Sequence, residues 1–169
     1  MAKCVMRVQN KKSRLKGVIV LVGNPNVGKS TTLINLSKIL LDEEDAFFYY
    51  ELKKQKKSKD RRIVLRTDRW IVGIGTAGDD RDHLDENFKF FRDQRCDIGV
   101  MASRFTLENY CKTLARKCKA KFARIEKGDM KTRYAQSRDA LACAEWIRDA
   151  LKESRVSRVL SVANEGGVR

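Results

Sequence analysis

Only one histidine, His83, occurs among 169 residues, and none of the five cysteines belongs to a CxxC pair. The donor sets of a zinc knuckle or a histidine-based metal centre are therefore missing. Cys4, Cys96, Cys111, Cys118 and Cys143 are an odd set without paired spacing, and they read as reduced thiols of the core. No apolar run is long enough to span a bilayer. The opening MAKCVMRVQNKKSRLKG is basic but has no apolar centre of the kind a secretory signal carries, so a cytoplasmic location without a membrane partner is expected. Internal repeats and linker-like stretches are lacking too, which predicts a single domain over residues 1–169. No nucleic-acid-binding module and no aromatic platform for single strands can be read.

Acids are in deficit. The chain carries 37 Lys and Arg against 22 Asp and Glu, a formal charge of +15. The excess is concentrated. Residues 1–16 hold six cations and no acid, residues 53–62 (KKQKKSKDRR) hold seven against Asp60, and residues 112–127 hold seven against Glu126. Such patches suit solvated loops and helix faces, the phosphates of a substrate, weak non-specific nucleic acid, or an acidic protein partner. The apolar fraction of 42% is that of an ordinary folded globule.

Against this background Gly23–Ser30, GNPNVGKS, fits G-x-x-x-x-G-K-[ST] in full. Before it, Lys16–Val22 reads as a buried strand. After it, Lys29–Leu41 carries Leu33, Ile34, Leu36, Ile39, Leu40 and Leu41 at helical spacing. Strand, glycine loop and helix follow in the order a phosphate cradle requires. Gly23 and Gly28 let the backbone curl around an anion and turn N–H groups inward. Asn24, Pro25, Asn26 and Val27 complete the loop. Lys29 places an ammonium by the outer phosphates. Ser30 offers a hydroxyl to Mg²⁺, Thr31 follows it, and the helix N-terminus adds partial positive charge.

Downstream, the acids Asp42 to Asp45 close the first helix, Ala46–Leu52 reads as a second strand, and 53–60 as a basic loop. Arg62–Arg66 and Trp70–Ile74, joined by Thr67-Asp68-Arg69, form a hairpin that returns one antiparallel strand into the sheet. A helix from about Asp82 turns Leu84, Phe88 and Phe91 inward, and Asp97–Ser103 is a buried strand. Leu107, Tyr110, Cys111, Leu114, Ala115 and Cys118 form one helical stripe, with Thr106 as its expected N-cap. Lys121–Ile125 reads as a strand. Residues 132–151 read as the longest helix, with Tyr134, Leu141, Ala144, Ile147 and Leu151 inward, and Arg158–Val162 as a last strand. The expected fold is a three-layer α/β domain with a mainly parallel sheet and one antiparallel hairpin strand.

Chemistry in such a sheet gathers beyond the carboxyl ends of its strands. Asp79 and Asp80 are the first carboxylates past Ile74-Gly75-Thr76-Ala77-Gly78. Asp79 is the candidate for the Mg²⁺ shell or for orienting water, while acids in Asp79 to Asp82 also suit the start of a helix. Arg104, past Ala102-Ser103, is a candidate phosphate clamp or the surface partner of a nearby acid. Lys127 and Asn164 fall near predicted strand ends as weaker candidates, and His83 reads as a helix-surface residue.

The run Gly23–Thr31, GNPNVGKST, resembles the phosphate-binding loop of the P-loop NTPase superfamily, and its wording is closest to small GTPases of the translation-factor-related class. The likeness covers the first strand, loop and helix. It implies a nucleoside triphosphate and Mg²⁺ as ligands, with Lys29, Asp79 and Arg104 as catalytic candidates and Ser30 and Asp79 at the metal. The family's Asp-x-x-Gly appears here as Gly75-Thr76-Ala77-Gly78, without its aspartate. Its Asn-Lys-x-Asp guanine reader is missing; the matching place reads Ala102-Ser103-Arg104-Phe105. ATP is therefore expected before GTP, with hydrolysis as the reaction. A small-molecule or nucleotide kinase, and a nucleotide-dependent nucleic-acid-binding regulatory module, are the alternatives.

Overall fold

The computed structural model describes residues 15–43, 48–53, 60–67, 69–128 and 131–165. Its centre is a six-stranded sheet built from β1 (Gly17–Val22), β2 (Phe48–Lys53), β3 (Arg61–Arg66), β4 (Ile71–Gly75), β5 (Ile98–Ser103) and β6 (Lys121–Glu126). The spatial order is β2-β3-β4-β5-β1-β6. β4, β5, β1 and β6 pair in parallel. β3 pairs antiparallel with both β4 and β2, so it alone runs against the other five. The expected hairpin and its single reversed strand are present.

Four α-helices cover the sheet among the described residues: α1 (Lys29–Glu43), α2 (Arg81–Asp93), α3 (Glu108–Lys117) and α4 (Arg133–Glu165). The alternation of strand side chains sorts the core into two layers. Ile19, Leu21, Val72, Ile74, Ile98 and Val100 pack with Leu33, Leu36 and Leu40 of α1 and with Ala140, Cys143, Ala144 and Ile147 of α4. Val18, Val20, Val22 and Met101 pack with Leu84, Phe88 and Phe91 of α2 and with Cys111 and Ala115 of α3. β1 and β5 lie between both layers, which is why GVIVLV and IGVMAS are buried at every position. β6, at the edge, has no fully buried residue.

Gly73 and Gly99 face each other on β4 and β5. A Cβ at either would lie 2.6 or 2.4 Å from the Phe91 ring. The two glycines thus form a slot that lets α2 approach the sheet through one aromatic ring.

Three expectations need correction. Arg158–Val162 is not a strand; α4 runs unbroken to Glu165, and Asn164 lies on this helix rather than just past a strand of its own. Tyr134 and Leu141 do not face inward; they are 78% and 43% exposed. The inward stripe of α4 is Ala135, Ala140, Cys143, Ala144 and Ile147, because α4 packs directly on α1 and small side chains permit that approach. Thr106 caps no helix. The chain first makes a 3₁₀ turn, Phe105–Leu107, and α3 begins at Glu108 without a side-chain cap. The second strand is present as Phe48–Lys53; residues 44–47, with the expected start at Ala46, and most of the basic loop 53–60 lie outside the described residues. No described helix is long and apolar enough to cross a membrane.

Candidate functional site

The turn from β1 into α1 sits at the carboxyl edge of the sheet. Gly23 N–H donates to the Ser103 carbonyl at 3.2 Å, and Lys127 N–H donates to the Val22 carbonyl at 2.7 Å, so the loop leaves the sheet between the ends of β5 and β6. Asn26 and Gly28 take left-handed φ values of 62° and 89°, which asparagine and glycine tolerate best. The first α1 hydrogen bond, Thr32 N–H to the Gly28 carbonyl at 3.0 Å, follows directly. Lys29, largely buried, donates from Nζ to the carbonyls of Gly23 at 2.9 Å and Asn24 at 2.6 Å. Its ammonium is thus held over the loop by the loop's own backbone.

The next part arrives from two strands away. β5 lies between β1 and β4. The chain leaving β4 crosses the end of β5, and Gly78 makes the crossing possible: a Cβ there would sit 1.8 Å from the Ala102 carbonyl oxygen. Ser30 Oγ donates to the Thr76 carbonyl at 3.4 Å, joining the start of α1 to this crossing. Thr76 is tied to β3 as well; its N–H meets the Arg61 carbonyl at 3.0 Å and its Oγ1 accepts from Arg61 N–H at 2.8 Å. Past Gly78, Asp79 Oδ1 accepts from Arg104 Nε at 3.0 Å. The alternative foreseen for Arg104, a pair with a nearby acid, is what the geometry has, and the acid is the other candidate.

The two adjacent aspartates divide their tasks. Asp80 caps α2, accepting His83 N–H at 2.8 Å, and its other oxygen lies 3.1 Å from His83 Nδ1. Asp79 takes no part in the cap and stays exposed. Lys29 feels both members of the pair. Burial holds its pKa below the ordinary 10.5; the Asp79 charge opposes that shift and the Arg104 charge adds to it. Lys29, Ser30, Asp79 and Arg104 thus converge, although they come from three strand ends.

Three supporting residues escaped the sequence reading. Asn87 is fully buried on α2; its Nδ2 donates to the Ala77 carbonyl at 2.8 Å and its Oδ1 accepts from Arg62 Nε at 3.1 Å, fixing the crossing segment from below. Asp139 of α4 holds Lys127 in a buried ion pair at 2.9 Å. The Lys127 Cβ and carbonyl lie 3.1 Å from where a Gly23 Cβ would be, so this pair backs the loop. Gln136 Nε2 lies 2.6 Å from the corresponding point on Gly28. The available signal was a polar residue at an inward helical position: Asn87 between Leu84 and Phe91, Asp139 beside Ala140 and Cys143.

Among the described residues no cluster of three metal-ligating side chains exists. Ser30 and Asp79 each offer one oxygen beside the loop. That modest set fits Mg²⁺, which keeps several waters and relies on one or two protein oxygens plus substrate phosphates.

No protein-family model matches the chain, and no curated protein matches it. Among solved structures, the apo form of EndoMS superposes with a TM-score of 0.33 and 14% identity over 56% of this chain. The matched part spans 46% of that protein, less than half its length, and a likeness this slight does not indicate a shared fold.

Proposed function

We propose that the crevice binds a nucleoside triphosphate with Mg²⁺ and hydrolyses it, in a domain of P-loop NTPase type. The observation that supports this reading is the crossing of the β4–α2 segment over the end of β5, which sets Asp79 and Arg104 beside Lys29 and Ser30. In this reading the Gly23–Thr31 backbone, from Asn24 through Gly28 to the α1 N-terminus, cradles the β- and γ-phosphates, and Lys29 neutralises the outer charge. Ser30 and Asp79 would hold the shell of a Mg²⁺ ion, which would supply neutralisation of phosphate charge. Asp79 also orients the attacking water, whose oxygen bonds to the γ-phosphorus as the β,γ-bridging bond breaks and whose proton passes to an oxygen of the departing phosphate. Arg104 balances charge on the departing phosphate. ATP is preferred, since no Asn-Lys-x-Asp reader of guanine occurs.

Titration with ATP and GTP, with and without Mg²⁺, tests the reading. Lys29→Ala should weaken binding at least about tenfold, or about 1.4 kcal/mol. Equal affinity in that variant overturns the site, and a tenfold preference for GTP overturns the base. A second reading rests on Arg104, whose side chain is 42% exposed and reaches the crevice mouth, where it can also meet a phosphorylated acceptor. Labelled ATP separates the two: label released as free phosphate supports hydrolysis, and label on an acceptor in an Arg104-dependent yield makes the protein a kinase.

A further inference from the structure

The edge of the sheet opposite the phosphate loop repeats one arrangement. Backbone hydrogen bonds run across it from strand to strand: Asp97 N–H to the Ile71 carbonyl at 2.7 Å, Lys16 N–H to the Asp97 carbonyl at 2.8 Å, and Lys121 N–H to the Lys16 carbonyl at 2.8 Å. Two residues before Ile71, Asp97 and Lys121 in the chain stand Arg69, Arg95 and Lys119, all exposed. Lys16 itself occupies the fourth place. The row follows β4, β5, β1 and β6 and, at about 4.8 Å between strands, spans about 14 Å.

Arg95 and Lys119 are informative beyond their charge. Each follows a helix at the position where glycine is usual, one residue past the C-cap, and each has a left-handed φ, 54° and 55°. The hydrogen bonds are those of a Schellman ending in both cases. Arg95 N–H meets the Arg92 carbonyl and Cys96 N–H the Phe91 carbonyl; Lys119 N–H meets the Arg116 carbonyl and Ala120 N–H the Ala115 carbonyl. Cations do favour helix C-termini, but Arg92, Arg116 and Lys117 already fill the last turns. A long cationic side chain at a glycine position carries backbone strain that the helix endings do not need. The same strained choice is made twice, side by side on one edge.

Acids lie nearby and are largely engaged. Asp97 is buried and pairs with Lys16 at 2.8 Å, and Glu153 pairs with Lys121; Asp93 is exposed.

We infer that this edge is a binding surface for the phosphate backbone of nucleic acid, separate from the nucleotide crevice. A row of cations of this length matches about four base pairs of one duplex strand at 3.4 Å each. Nothing in it reads bases, so recognition is independent of sequence.

The strained positions supply the test. Glycine relieves a left-handed φ, so the double variant Arg95→Gly/Lys119→Gly keeps the fold, and its melting temperature stays equal or rises. Its affinity for a mixed-sequence DNA duplex, measured by anisotropy across a salt series on the full chain, should fall at least tenfold. The slope of log K against log salt should flatten by about two. Arg95→Lys/Lys119→Arg keeps the charge and should bind like the parent. Lys38→Ala, which removes an exposed charge from α1 on the other helical layer, should not alter the slope. The inference is overturned if the double glycine variant binds like the parent, if Lys38→Ala costs as much per charge, or if the parent binds phosphatidylserine vesicles and not the duplex.

Discussion

Asp79 and Asp80 show how neighbouring residues of one type acquire different work. Asp80 spends its carboxylate on the α2 cap, whereas Asp79 faces Arg104. Asp80→Ala should therefore lower stability by about 1 kcal/mol in a denaturant melt while nucleotide turnover persists. Asp79→Asn should do the reverse, removing turnover and shifting stability by less than about 0.5 kcal/mol, since its pair is exposed. The opposite pattern would exchange the assignments. Lys29 gives a pH dependence whose sign is fixed by its surroundings. Burial lowers its pKa below 10.5. As pH rises through that lowered value, the free lysine loses its proton first. A bound triphosphate favours the charged form, so binding in this window takes up protons and affinity declines with pH. Calorimetry in two buffers of different ionisation heat measures the uptake. Lys29→Arg, whose guanidinium does not titrate, should abolish the uptake. The tight turn from β1 into α1 was legible because its glycines and Lys29 lie in one contiguous run between an apolar strand and a helix. Asn87, Asp139 and Gln136 were not, because their partners are distant in sequence and only the folded chain brings them together.

Among elements, the segment from β4 to α2 has the strictest requirements. Gly78→Ala must displace the Ala102 backbone, a loss toward the upper end of about 1–3 kcal/mol, and should disable turnover because Asp79 moves with the loop. Gly99→Ala clashes with the Phe91 ring on the face below and should lose comparable stability while leaving nucleotide affinity per folded molecule intact. Comparing melts and binding for the two variants separates damage to the site from damage to the core. Most elements could be read in advance. β1 and β5 are unbroken apolar runs, and α2 and α3 carry clear stripes. Misreading concentrated in α4. Its contact with α1 is made by alanines and a cysteine, which signal helix weakly, while exposed Tyr134 and Leu141 mimic an apolar stripe. The β-branched residues of Arg158–Val162 suggested a strand, yet the helix continues through them.

For the whole molecule, the distribution of thiols predicts a reporter of global stability. Burial pushes Cys96 and Cys143 up to about 12 and raises Cys111 as well, whereas Cys118 is only half-buried. In a Cys4→Ser background, a thiol reagent at neutral pH should label Cys118 first. Cys96, Cys111 and Cys143 should follow only as fast as the core opens. Rapid labelling of Cys143 in the native state would mean that the α1–α4 layer separates without unfolding. The two-sided core was legible as a class of fold, but not the strand order, since nothing local places β5 between β1 and β4.

The helix α4 touches both ends of this molecule. Near its start Gln136 Nε2 lies 2.6 Å from where a Gly28 Cβ would be, in the turn between β1 and α1. Farther along, the Trp146 ring lies 3.0 Å from where a Gly17 Cβ would be, and Glu153 pairs with Lys121. From Gln136 to Glu153 it runs about 26 Å as a continuous helix. Between those contacts α4 is one continuous strut, so a single element joins the turn after β1 to the start of β1 and β6. Whatever free energy links the two ends must then be equal in both directions. Occupancy of the crevice should change affinity for DNA by the same factor as DNA changes affinity for the nucleotide, and a proline at Ala142, which breaks the strut midway, should bring both factors to one.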